Sequence, residues 1–232
     1  MIKTKKTKQT IGLACALVVF CVVSPDASAK DFNWSGGSWT QVTGYTATGT
    51  KTTTGWTGYV ITGFQWWEKK DDPVRIQVSA RKLCSGSCSG NKTTELETGI
   101  NAGNIVSVKN VATAESHYIT GIQVCTTNKN NTSDNKLKGI RLWSARIKPA
   151  GKFVADPSPK SAYHAHCVKW GTIRKCASGQ FVTGIKAYYG PKTGFTGFEV
   201  RCSTVDLPKK EKIPKTPLVP GYSPIRFPGH NP

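Results

Sequence analysis

The sequence predicts an all-β protein built as three similar antiparallel walls around one core. Three observations predict it. A short phrase is written three times, as YVITGFQ at 59–65, YITGIQ at 118–123 and FVTGIK at 181–186. Each copy alternates apolar and polar residues, and each is followed by a polar loop and a second alternating run. Long amphipathic helical patterns are absent, while threonine and glycine are abundant.

The chain opens with a leader. Lys3, Lys5, Lys6 and Lys8 form a basic start, residues 11–23 an apolar run short for a bilayer, and Ala27-Ser28-Ala29 a small-residue cleavage pattern. Residues 1–29 therefore read as a secretory signal peptide, and no later run is apolar for long enough to span a membrane. The whole chain carries a formal charge of +19; the leader holds four lysines and one aspartate, so the chain from Lys30 carries +16. Such a charge favours anionic surfaces, and it also serves simply to keep an exported protein soluble.

In the first repeat, Phe64 and Trp66 fall on one side of the strand and Gln65 and Trp67 on the other. The second places Ile122 and Val124 opposite Gln123, and the third Ile185 and Ala187 opposite Lys186. One face is buried and one is wet. The loops are EKKDDP (68–73), TNKNNTSDNK (127–136) and GPKTG (190–194), and the return strands VRIQV (74–78), GIRLW (139–143) and GFEVR (197–201). The shared Gly63, Gly121 and Gly184 mark a bulge or close backbone approach, or are tolerated small residues. No unit buries its face alone; packed about a common axis, three share one core.

Cys15 and Cys21 leave with the leader, and Cys84, Cys88, Cys125, Cys167, Cys176 and Cys202 remain. An even count in an exported chain argues for disulfides rather than metal ligation, although six cysteines allow about 15 pairings. CSGSC at 84–88 looks like a locally closed loop, and Cys176 and Cys202 bracket the third repeat, which leaves Cys125 with Cys167.

The stretch CASGQFVTGIKAYYGPKTGFTGFEVRC (176–202) resembles the repeat of the vitelline membrane outer layer protein I family, with a Cys, a Gly-rich turn, an aromatic-x-x-Gly strand, a polar loop and a Gly-led strand ending in Cys. HYITGIQVCTTNKNNTSDNKLKGIRLW (117–143) is similar, Trp170-Gly171 resembles the element that opens such repeats, and the stretch from Trp34 to Trp39 resembles a degenerate earlier copy of it. The resemblance covers about residues 32–205 and implies a β-prism, three antiparallel sheets with approximate threefold symmetry. The chain departs from the pattern in its first repeat, which lacks the bracketing cysteines, and in the family's acidic loops, present here only as Asp71-Asp72 and Ser133-Asp134.

The expected organisation is thus a leader at 1–29, a β-prism domain at 30–206 and a tail at 207–232. The tail carries seven of the thirteen prolines and the cluster Lys209, Lys210, Lys212 and Lys215. It reads as extended, either merely solvated or a docking peptide for a protein partner.

For chemistry, the densest acidic group is WWEKKDDP, with Trp67, Glu68, Asp71 and Asp72 beside Trp66. Aromatic rings stack on sugar faces and carboxylates bind hydroxyls, so these four residues are candidate ligand contacts; a solvated turn is the competing reading. Hydrolysis of a glycosidic bond uses two carboxylates across a cleft, whereas these acids share one loop, so no catalytic residue is assigned. The Asn-rich loop adds Asn130, Asn131 and Asp134 as candidate glycan contacts or parts of a long turn. Sequons start at Asn33, Asn91, Asn130 and Asn131 and matter only in a host that glycosylates. His164 and His166 would share a side of a strand, but Cys167 is claimed by a disulfide and no third ligand is evident; no metal or cofactor is assigned, and His117 and His230 look isolated.

The expected function is binding: a secreted, non-catalytic, lectin-like protein recognising glycans or anionic surface polymers. The lysine-rich leader and the Lys- and Asn-heavy composition suit a bacterial exported protein acting at a host or environmental surface, released by way of the periplasm if the cell is Gram-negative. The rival readings are a glycan-acting enzyme using loop carboxylates and an effector drawn by charge to polyanions or membranes. Nucleic acid is not expected as a partner, because export separates the chain from it.

Overall fold

The computed structural model describes residues 30–207 apart from 86–87, 101–103, 130–133 and 149. The expected leader at 1–29 and all of the expected tail but Leu207 lie outside the described residues, as do Asn130 and Asn131. The described secondary structure consists of fifteen strands: β1 (Asn33–Trp39), β2 (Thr43–Gly44), β3 (Gly49–Thr54), β4 (Tyr59–Lys69), β5 (Asp72–Lys82), β6 (Asn91–Glu97), β7 (Val106–Ala112), β8 (His117–Thr126), β9 (Leu137–Ile147), β10 (Phe153–Ala155), β11 (Lys160–Tyr163), β12 (Lys169–Trp170), β13 (Arg174–Lys175), β14 (Gln180–Gly190) and β15 (Gly194–Asp206).

They form three antiparallel sheets, each built on one of the long hairpins β4–β5, β8–β9 and β14–β15. The arrangement is a β-prism, and its strand exchange repeats three times. The strand that leads into a hairpin pairs with the previous hairpin: β7 with β4, β12 and β13 with β8, and β3 with β14. The strand that leaves a hairpin pairs with its second arm, as β6 does with β5 and β10 and β11 do with β9. After β15 the chain has no further strand among the described residues, and β1 and β2 take that position from the N-terminal side. The prism is therefore closed by joining its two chain ends. The stretch 34–39 is not a copy of the Trp170-Gly171 element: it lies on the β15 edge of its sheet, whereas Trp170 lies on the β8 edge of another.

The repeated phrase has a structural meaning in all three copies. On the hairpin side the register shifts between Ile61 and Gly63, Ile119 and Gly121, and Val182 and Gly184, so Thr62, Thr120 and Thr183 are the extra residues of three equivalent bulges. On the other side each glycine faces the last residue of the incoming strand: Gly63 against Ala112, Gly121 against Lys175, Gly184 against Thr54. A Cβ on Gly63 would stand 2.8 Å from the Ala112 Cβ and 3.0 Å from the Val111 carbonyl oxygen. Glycine is present for close approach, not for its freedom of φ. Gly63→Ala is expected to lower stability by about 1–3 kcal/mol, read from the urea midpoint; an unchanged midpoint would show that the strand can give way at no cost.

The inward faces follow the alternation. Phe64, Trp66, Ile122, Val124, Ile140, Leu142, Ile185, Ala187, Phe198 and Val200 are all buried in one cluster, and Phe64 stacks on Phe198 with ring centroids 5.8 Å apart. Each of the larger side chains contributes on the order of 1.5–3 kcal/mol of burial. A second cluster of Phe32, Val60, Leu83, Tyr118, Ala145, Ile147, Phe181 and Val205 fills the end away from the hairpin turns. There the Tyr118 hydroxyl donates to the Lys82 carbonyl at 2.9 Å and accepts from the Cys84 N–H at 3.0 Å. Disulfides join Cys84 to Cys88, Cys125 to Cys167 and Cys176 to Cys202.

Candidate functional site

The three hairpins turn at the same end of the prism, and their loops touch. The first turn is the tightest: Lys69 faces Asp72, and Lys70 and Asp71 both have positive φ, at 47° and 73°. That is the backbone a two-residue hairpin turn wants, written with residues that enter it at a cost. The third turn leans on it, since Gly194 (φ 70°) lies so close to the Pro73 carbonyl that no side chain fits between them. The second loop is tied down by Asn135, fully buried, which accepts from the Lys129 N–H at 2.7 Å and donates to the Lys129 carbonyl at 3.1 Å.

The first turn is held by Lys138 of β9. Its side chain is 0% exposed, and its ammonium donates to Glu68 Oε1 at 3.0 Å, to the Asp71 carbonyl at 2.6 Å and to Asp71 Oδ1 at 2.6 Å. All three N–H donors are used, which is how a buried ammonium is tolerated. Burial works against ionisation of Asp71, but the hydrogen bonds and charges of Lys138 and then His166 outweigh it and hold its carboxyl below the ordinary carboxylate range. Beside this network Lys136 pairs with Asp72 at 2.6 Å.

A separate cleft of about 540 Å³ opens between the second and third turns, lined by Thr46, Ala47, Thr48, Asp134, Gly190, Pro191, Lys192 and Thr193. It offers threonine hydroxyls, one carboxylate, one ammonium and an apolar floor.

The described candidate residues thus fall in three places. Glu68 and Asp71 meet at Lys138; Glu68 is buried, and its Oε1 is taken. Trp66 is in the core and Trp67 is half-buried on the outer face, as alternation requires. The Arg75 guanidinium lies 5.9 Å from the Trp67 ring centre and is held there by Glu97 at 2.6 Å. Of the described candidates, Asp134 alone lines the cleft. Two residues escaped sequence reasoning. Lys138 lies just before the expected return strand at 139–143 and is assigned no role there, and Lys192 lies in the expected loop at 190–194. His117 is not isolated either, since its Nε2 lies 3.0 Å from Asp156 Oδ1.

The chain is similar in structure to an agglutinin from Calystegia sepium, at 14% identity over 72% of this chain and 97% of that one, with a TM-score of 0.46. It is similar also to AcmJRL, a mannose-binding jacalin-related lectin from Ananas comosus (11% identity, 72% and 98% covered, TM-score 0.44). A mannose-specific jacalin-related lectin from Morus nigra, solved with mannose, aligns at 9% identity over 73% and 96% of the two chains, with a TM-score of 0.40. No family model and no curated protein matches the chain.

Proposed function

We propose that this protein is an exported glycan-binding module, similar in plan to the vitelline membrane outer layer protein I family, whose sugar site is the cleft between the second and third turns. The cleft carries the reading. Its volume suits one or two sugar rings, within the range of small-molecule sites. Its lining combines threonine hydroxyls and Asp134 for hydroxyl groups with Ala47 and Pro191 for apolar sugar faces. A single carboxylate among the described lining residues suits binding better than glycoside hydrolysis, which uses two. Export is supported by the leader pattern and three disulfides. Action at a host or environmental surface, bacterial origin and a protein partner for the proline-rich tail belong to the same proposal and rest on the sequence.

The net charge adds attraction to anionic surfaces that salt screens, so the test runs at two salt concentrations. A glycan array is expected to show a subset of glycans retained at high salt. Asp134→Ala is expected to weaken that subset about tenfold, the loss of roughly one hydrogen bond to a charged group. Loss of all glycans at high salt would leave only charge-driven adhesion. Retained binding that ignores Asp134→Ala and Lys192→Ala but falls with Trp67→Ala would move the site to the outer face of the first sheet.

A further inference from the structure

Asp71 has a second set of neighbours. The segment between β11 and β12 carries His164 and His166, and it forms a turn, not a strand, closed by the Cys167 N–H on the His164 carbonyl at 3.0 Å. This turn is fixed at both ends. The His164 N–H donates to the Lys138 carbonyl at 2.7 Å, the Val168 N–H donates to the Thr126 carbonyl at 3.0 Å, and Cys167 is bonded to Cys125. The two imidazole centres are 5.1 Å apart, and His166 Nδ1 lies 3.2 Å from Asp71 Oδ1. One ligand atom from each of Asp71, His164 and His166 falls within 4.8 Å of the other two. The third ligand missing from the sequence is Asp71, 95 residues away.

We propose that Asp71, His164 and His166 form a binding site for a late first-row divalent cation of the zinc type. The decisive atom is His164 Nδ1, which is buried and has no hydrogen-bond partner. An imidazole nitrogen shut away from water and protein alike normally costs free energy, and a metal ion removes that cost by taking its lone pair. Two imidazoles with one carboxylate select zinc, nickel or copper(II) over calcium and magnesium, which take oxygen ligands. A tetrahedral zinc holds its ligands about 3.3–3.6 Å apart, so the triad must close by about 1 Å. Rotation of His166, whose side chain is 61% exposed, supplies that movement. Coordination through Asp71 Oδ2 leaves the bond from Lys138 to Oδ1 intact. The charges allow it: Glu68 and Asp71 outweigh Lys138 by one negative charge, while the nearness of the ammonium keeps affinity moderate. Three protein ligands leave a fourth position, on the solvent side of His166, for water or an oxygen of a bound molecule. The site is independent of the cleft lined by Asp134 and stands or falls separately from it.

The test is calorimetric titration of Zn2+ into the disulfide-intact full protein, stripped with chelator and carrying His230→Ala so that the tail histidine does not contribute. One site in the micromolar range is expected, with Ca2+ giving no heat. His166→Ala, at an exposed position, is expected to keep the melting temperature of the stripped protein and weaken Zn2+ binding at least tenfold, and His164→Ala to do the same. The Co2+-loaded protein is expected to show the intense visible bands of tetrahedral coordination, lost in either variant. Absence of Zn2+ binding, or binding unchanged in both histidine variants, would overturn the proposal. Binding that instead disappears in His117→Ala would place the cation at the His117–Asp156 pair and overturn it equally.

Discussion

Lys138→Ala is expected to destabilise the protein by about 3–5 kcal/mol, the cost of breaking a buried ion pair from one side. The lysine sits on β9 with no exposed side-chain area and holds Glu68 and Asp71, both from the first hairpin. Without it Glu68 is left as a buried carboxylate with its cationic partner gone, and the strained Lys70-Asp71 turn loses the contacts to the Asp71 carbonyl and side chain. Such a loss is a large part of the roughly 5–15 kcal/mol that a domain has. The double variant Lys138→Met, Glu68→Gln removes both charges and fills part of the volume, so it is expected to recover some of the loss. Urea unfolding of both variants decides: a single-variant loss under about 1 kcal/mol would mean that water enters and solvates Glu68. Because Asp71 is held below its ordinary value, its share of this network is present above that value and fades as pH falls through the lowered one.

The hairpins were legible because alternation is a local property: Trp66 inward and Trp67 outward follow from a period of two. The partners of those hairpins were not. Gly63, Gly121 and Gly184 stand out in the sequence, but the reason for them, close approach to Ala112, to Lys175 and to the Thr53 carbonyl, lies in strands that no phrase marks. Lys138 was hidden by a register shift. Thr126 pairs with Leu137 and Cys125 with Gly139, so Lys138 falls between paired positions and its neighbours' alternation does not predict its direction. The metal triad was hidden by distance, with two ligands visible as His-x-His and the third in another repeat. The acids of WWEKKDDP were legible as a cluster, yet their environment divides them, Glu68 and Asp71 onto Lys138 and Asp72 onto Lys136.

A chain lacking residues 30–48 is expected not to fold cooperatively, a loss larger than the ~5 kcal/mol that a marginal domain has. This segment is the outer edge of the third sheet. Asn33 pairs with Asp206, Trp39 with Arg201 and Thr43 with Phe198. Phe32 is buried in the far cluster, the Trp34 indole N–H donates to the Tyr59 carbonyl at 2.9 Å, and the Thr43 hydroxyl accepts from the Val124 N–H of the second sheet at 3.0 Å. Deleting it would leave β15 as a long bare edge over an opened core. The topology makes a sharper claim, because the segment occupies the place of the strand that follows each of the other two hairpins. Asn33 lies beside Asp206 in an antiparallel pair, so a short loop can join 206 to 30. A circular permutant running 49–206, a short linker and then 30–48 restores the order of the other two repeats. It is expected to unfold in one transition, with a melting temperature within a few degrees of the parent, while the deletion does not. The new ends fall at Thr48 and Gly49 on the rim of the proposed sugar cleft, so the permutant tests folding and not binding. If permutant and deletion fail alike, the segment does more than close the ring; if both fold, the third sheet stands without its outer edge.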